Sequence, residues 1–137
     1  MSHVAGVLDT SVVIDLERLD PAHLPQEPVI TAITLAELSV GPLVTEDPAE
    51  RSARQARLQV VEAAFEPLPF DAAAARAFGG VAAALRREGR KPAARAFDAL
   101  IAATAIANGL PVHTRNPADF AGIDGLTVVE VGDPADH

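Results

Sequence analysis

The sequence predicts an α/β domain with a mostly parallel central sheet and helices on both faces. Two observations predict it. Short apolar runs bounded by turn residues alternate with longer helix-patterned segments along the whole chain. At 137 residues and 49% hydrophobic content, the chain can build and fill one core. No internal repeat, linker or low-complexity insert divides it, so residues 1–137 are expected to form a single domain, with 132–137 as a frayed tail.

Each element has a local reason. Val4 to Leu8 is a buried-strand run that stops at Asp9. Thr10 and Ser11 are N-cap residue types ahead of a helix over Val12–Arg18. Leu19 to Glu27 contains two prolines and reads as loop. Pro28 to Thr31 reads as a second strand, and Ile33 to Val40 as a helix closed by Gly41 and Pro42. Asp47 caps a helix that opens on Pro48 and runs to about Ala64, with Glu50 completing a capping-box pattern. Arg51, Arg54 and Arg57 recur on it at helical spacing and give one basic face. Glu66 to Phe70 reads as a third strand, kept to an edge by Pro67 and Pro69. Asp71 caps a helix over Ala72–Arg87, and Gly89 to Pro92 breaks the chain. A helix over roughly Ala94–Asn108 ends at Gly109. Pro111–Thr114 is a fourth strand, Asn116–Phe120 a loop and Leu126–Val131 a last strand.

Composition closes off several function classes. With no cysteine there is no disulfide scaffold, thiolate zinc site, iron–sulfur cluster or cysteine nucleophile. His3, His23, His113 and His137 show no ligand spacing, which argues against zinc. With no tryptophan or tyrosine, the aromatic platforms of many single-strand binders are missing. A net charge of −8 rules out binding a polyanion by bulk attraction; a divalent cation would have to reverse the local field. The longest apolar run, Ala99–Ala107, falls short of the about 20 residues of a membrane span, and no signal peptide is evident. The expectation is a soluble cytoplasmic protein.

In an open parallel sheet, ligands bind beyond the carboxyl ends of the strands, beside helix N-termini. Four acids fall there: Asp9 after the first strand, Glu37 in the helix after the second, Asp98 near the start of the helix before the fourth, and Asp119 after the fourth. Asp98 leads a helix with no other charge through Ala107. Such a helix is buried, and an ionised acid at its edge needs a partner. The helix dipole supplies only about 0.3–1 kcal/mol. A metal shared by Asp9, Asp98 and Asp119 would supply the rest, with Glu37 as a ligand or a water-mediated partner. Oxygen-only donors suit Mg²⁺ or Mn²⁺, ions that polarise phosphoryl oxygens.

Four segments carry a family likeness: Val7-Leu-Asp-Thr-Ser-Val-Val-Ile14, Thr34-Leu-Ala-Glu-Leu38, Phe97-Asp-Ala-Leu-Ile-Ala-Ala-Thr-Ala105 and Thr114-Arg-Asn-Pro-Ala-Asp-Phe120. In order and spacing they resemble the PIN-domain ribonucleases, and among these the VapC toxins of type II toxin–antitoxin systems. The resemblance covers essentially the whole chain. It implies a three-layer α/β/α fold and catalytic acids at Asp9, Glu37, Asp98 and Asp119, which would bind Mg²⁺ or Mn²⁺. It also implies supporting roles for Thr10, Ser11 and Asn116. The activity implied is endonucleolytic cleavage of single-stranded regions of structured RNA, often tRNA or ribosomal RNA, leaving 5′-phosphate and 3′-hydroxyl ends. A homodimer and a cognate VapB-type antitoxin, whose C-terminal segment blocks the acidic pocket, are the implied partners.

Other residues divide between structure and substrate. Asp15, Asp47 and Asp71 are assigned to structure, and Asp124 and Asp133 to turns. Arg86, Arg87, Arg90, Lys91 and Arg95 form a basic cluster upstream of Asp98 and, with Arg115, are candidate RNA contacts; a solvated helix end is the alternative. Rival functions are a non-catalytic interaction module and a phosphoacceptor receiver-like domain with an acidic Mg²⁺-binding rim. The receiver would need a lysine after the last strand, and the only lysine is Lys91. A haloacid-dehalogenase-type phosphatase would need an acid where Ser11 stands, and a serine hydrolase a Gly-x-Ser-x-Gly elbow that is absent.

Overall fold

The computed structural model describes residues 4–91 and 95–132. Four strands, β1 (Ala5–Leu8), β2 (Glu27–Val29), β3 (Val112–Thr114) and β4 (Val128–Glu130), form one parallel sheet in the order β2-β1-β3-β4. Pro28 cannot donate to a ladder, and it sits in an outer strand of this sheet. Successive side chains of β1 point to opposite faces. Val7 therefore joins a core built from α4 (Ala72–Arg87) and α5 (Ala96–Ala107), and Leu8 joins one built from α1 (Thr10–Ile14), α2 (Ala32–Val40) and α3 (Pro48–Ala64). Helices thus cover both faces of the sheet, as expected of the PIN-like α/β/α arrangement.

Small residues make these layers close. Ala99, Ala102, Ala103 and Ala105 of α5 are fully buried, so this helix lies flat against its neighbours. It ends where Gly109 takes φ 67°, with the Leu110 amide donating to the Ala105 carbonyl at 3.0 Å. Gly6 is required for a different reason: a Cβ there would run into the buried imidazole of His113 on the neighbouring strand.

Several expected elements change. Glu66–Phe70 is not a strand; only Leu68 bridges, to Thr31. Pro67 and Pro69 remove alternate donors, so a single residue is left to pair. The first helix stops at Ile14, and Leu16–Arg18 forms a separate 3₁₀ turn after Asp15. The second strand ends at Val29 because Thr31 leaves the ladder to cap α2, accepting from the Thr34 amide at 3.2 Å. Asn116–Phe120 contains a 3₁₀ turn over Pro117–Phe120. Asp47 and Asp71 cap α3 and α4 as expected, but Glu50 pairs with Arg54 at 2.9 Å and closes no capping box. The expected helix start at Ala94 and the tail beyond Gly132 lie outside the described residues.

Candidate active site

The carboxyl ends of β1, β2 and β3 bring the acids to one rim. Asp9 follows β1 directly and is 4% exposed. Its Oδ1 accepts from Ser11 Oγ at 2.6 Å and from the Val12 amide at 3.1 Å, and its Oδ2 accepts from Thr114 Oγ1 at 2.6 Å. Asp9 is therefore itself the N-cap of α1; the hydroxyls of Thr10 and Ser11, expected to cap, serve the neighbouring carboxylates. Burial raises the Asp9 pKa more than anything else, opposed by these hydrogen bonds and reinforced by the charge of Asp119.

Glu37 lies on the second turn of α2, where it is partly buried. Its Oε1 accepts from Thr10 Oγ1 at 2.5 Å, and Thr10 Oγ1 also meets Thr34 Oγ1 at 3.0 Å. Desolvation first, then the charge of Asp9, raises its pKa.

Asp98 occupies the first turn of α5, with Arg95 at the N-cap position, so its own role is not capping. It makes no hydrogen bond or ion pair among the described residues. Its pKa is raised to about 6, by desolvation and then by the charges of Asp119, Asp9 and Glu37, with Arg95 alone pulling it down. Four acids from separate parts of the sequence thus act on one another through the field at this rim.

Asp119 lies in the 3₁₀ turn after β3, and its Oδ1 accepts from Arg95 Nη1 at 2.7 Å. Asn116 takes part through its backbone: its amide donates to Thr114 Oγ1 at 3.0 Å and its carbonyl accepts from the Asp119 amide at 3.0 Å. No three acidic or histidine side chains among the described residues are arranged to hold a metal ion. Asp9 and Asp119 each engage partners of their own. The chemistry of the donor set still suits a hard cation: every side chain is a carboxylate, and Arg95 is the one cation that lowers the Asp98 pKa.

Thr114 was not among the candidate residues. It is fully buried and joins Asp9 to the Asn116 amide. The signal was its position: Leu8 pairs with His113, so the next residue of each strand falls side by side.

The expected RNA contacts do not form one free patch. Arg87 pairs with Asp124 at 2.5 Å, Arg95 with Asp119, and Arg115 with Asp15. Arg90 makes a long contact of 3.4 Å to the Asp119 carbonyl. Arg86 and Lys91 are exposed and unpaired among the described residues.

Comparison with known proteins bears on this rim directly. Residues 6–126 match the PIN domain family, a stretch that holds all four acids. The chain belongs to the PIN-domain family. This PIN domain is 43% identical over 130 residues to Ribonuclease VapC5 of Mycobacterium tuberculosis, covering 93% of each chain. It is 33% identical over 131 residues to the tRNA(fMet)-specific endonuclease VapC of Shigella flexneri, covering 88% of this chain and 92% of that one. The crystal structure of VapBC-5, a member of the VapBC family of toxin–antitoxin systems from Mycobacterium tuberculosis, superposes with a TM-score of 0.81 at 39% identity, over 93% of this PIN domain and 99% of that chain. The acidic rim is thus part of a fold shared along nearly its full length with VapC ribonucleases. No helix among the described residues is long and apolar enough to cross a membrane.

Proposed function

We propose that this chain is a VapC-type endoribonuclease, the toxin of a pair silenced by a cognate VapB-type antitoxin, and that it works with Mg²⁺ or Mn²⁺. The observation that carries the reading is the half-buried carboxyl of Asp98, raised to about 6 by desolvation and then by three other acids, and left without a hydrogen bond among the described residues. Such a group is stabilised by a cation from outside. Asp9, Asp98 and Asp119 are the residues that would hold the ion, with Glu37 as a direct or water-bridged fourth. The bound ion would polarise a phosphoryl oxygen and lower the pKa of water.

The chain's own residues prepare the rest. Ser11 and Thr114 hold the two oxygens of Asp9 in place, and Thr10 holds one oxygen of Glu37. Asn116 fixes the turn that carries Asp119. Arg95 serves as counter-ion to Asp119 and, when a cation takes that place, becomes free to meet the RNA backbone with Arg86 and Lys91. The substrate class is single-stranded RNA within structured molecules; tRNA is what one relative's name specifies. An arginine or lysine of the antitoxin could substitute for the cation at the same rim.

The test is incubation of purified protein with single-stranded RNA, with added Mn²⁺ and with EDTA. Cleavage in Mn²⁺ that leaves 5′-phosphate and 3′-hydroxyl ends, and stops in EDTA, is expected. Cleavage indifferent to EDTA would overturn the metal assignment, and no cleavage under any condition would overturn the enzyme.

A further inference from the structure

The basic face of α3 has no part in the acid site, yet one of its arginines stands beside it. A cavity of about 370 Å³ is lined by Thr10 and Glu37 from the acid rim, by Ile14, and by Glu50, Arg54 and Arg57 of α3. Within it three of the four charged groups already have a hydrogen-bond partner. Arg54 Nε donates to Glu50 Oε1 at 2.9 Å, and its Nη1 donates to the Gly41 carbonyl at 2.9 Å. Glu37 accepts from Thr10. Arg57 is partly buried and makes no hydrogen bond or ion pair among the described residues. It also lines the adjoining cavity of about 320 Å³, where Asp15 is already engaged by Arg115 and Arg18.

A guanidinium that lines a cavity without a partner among the described residues is placed to take an anion from outside the chain. Its planar fork of donors matches a phosphate. We infer that this cavity is a subsite for RNA flanking the bond to be cut, and that Arg57 binds a backbone phosphate of the strand as it leaves the acid rim past Glu37. The inference rests on the ribonuclease reading above. RNA is favoured over a carboxylate of a protein partner because the same cavity opens on Thr10 and Glu37, where the substrate strand must pass.

The experiment compares the parent, Arg57→Gln and Arg57→Lys on a single-stranded RNA, measuring kcat and KM across a range of KCl, with melting curves as a folding control. The Gln variant should raise KM about tenfold, the equivalent of one charged hydrogen bond, with kcat unchanged. Its plot of log kcat/KM against log salt should be shallower by about 0.7, the value of one phosphate contact on a single strand. The Lys variant should restore most of that slope, because it keeps the charge. An active parent with a Gln variant unchanged in KM and slope overturns the subsite alone. An inactive parent overturns the ribonuclease reading and takes the subsite with it. A Gln variant that binds the cognate antitoxin more weakly, with KM and slope untouched, assigns the cavity to the protein partner and also overturns the inference.

Discussion

Arg95 Nη1 donates to Asp119 Oδ1 at 2.7 Å, tying the start of α5 to the turn after β3. This is the one ion pair that involves any of the four rim acids among the described residues. Both side chains are partly exposed, at 42% and 30%, so the pair contributes less than about 1 kcal/mol to stability. Its larger effect is on charge. Arg95→Ala should leave the melting temperature nearly unchanged, move the Asp98 pKa above its present value of about 6, and enlarge the thermal shift caused by Mn²⁺. A carboxyl-carbon NMR titration and a melting series in Mn²⁺ read both effects. An unchanged Asp98 titration would mean that Arg95 does not face the acids.

The raised pKa of Asp98 has a definite sign for stability. Between the ordinary 3.8 and about 6, the folded protein keeps the proton that the unfolded chain has released. The folded state then binds more protons, so stability falls as pH rises through that interval. Asp9 and Glu37 shift in the same direction. In EDTA, Asp98→Asn should therefore melt above the parent at neutral pH and match it on the acid side of the interval. A variant that melts below the parent at neutral pH would contradict the crowding of charge at the rim.

Thr114 holds the site from below. Thr114→Val keeps the shape but leaves Asp9 Oδ2 and the Asn116 amide without their partner. The cost should be about 1–3 kcal/mol in chemical denaturation. The same hydrogen bond lowers the Asp9 pKa, so the variant should raise it further and reduce cleavage. Full activity in the variant would remove Thr114 from the site.

Gly6 tests the packing of β1 on β3. A methyl group there meets the His113 imidazole, so Gly6→Ala should destabilise by about 1–3 kcal/mol. Gly6→Ala combined with His113→Ala should recover part of that loss, which a pair of denaturation curves would show.

Asp9 and Asp98 stand out in the sequence because each interrupts a strong pattern, whereas Glu37 and Asp119 are singled out mainly by the company of the other motifs. An apolar run stops at Asp9, and a charge-free buried helix follows Asp98. The cations were not legible in the same way. Arg95, Arg87 and Arg115 find acids 24, 37 and 100 residues away, and no local pattern announces such partners. Three of the residues read as RNA contacts are therefore engaged within the chain. The strand expected at Glu66–Phe70 failed because its apolar residues alternate with prolines, which satisfies hydropathy but not the ladder. Thr114 went unread because its role depends on the β1–β3 register, which local sequence does not reveal.

The proposed chemistry requires carboxylates remote in sequence to act together on one divalent cation. Calorimetric titration of Mn²⁺ into the purified chain, its Asp9→Asn variant and its Asp98→Asn variant tests this most directly. The parent should bind saturably and either variant should lose most of that affinity, with the fold intact by circular dichroism. Equal binding by all three proteins, or none by the parent, would contradict it.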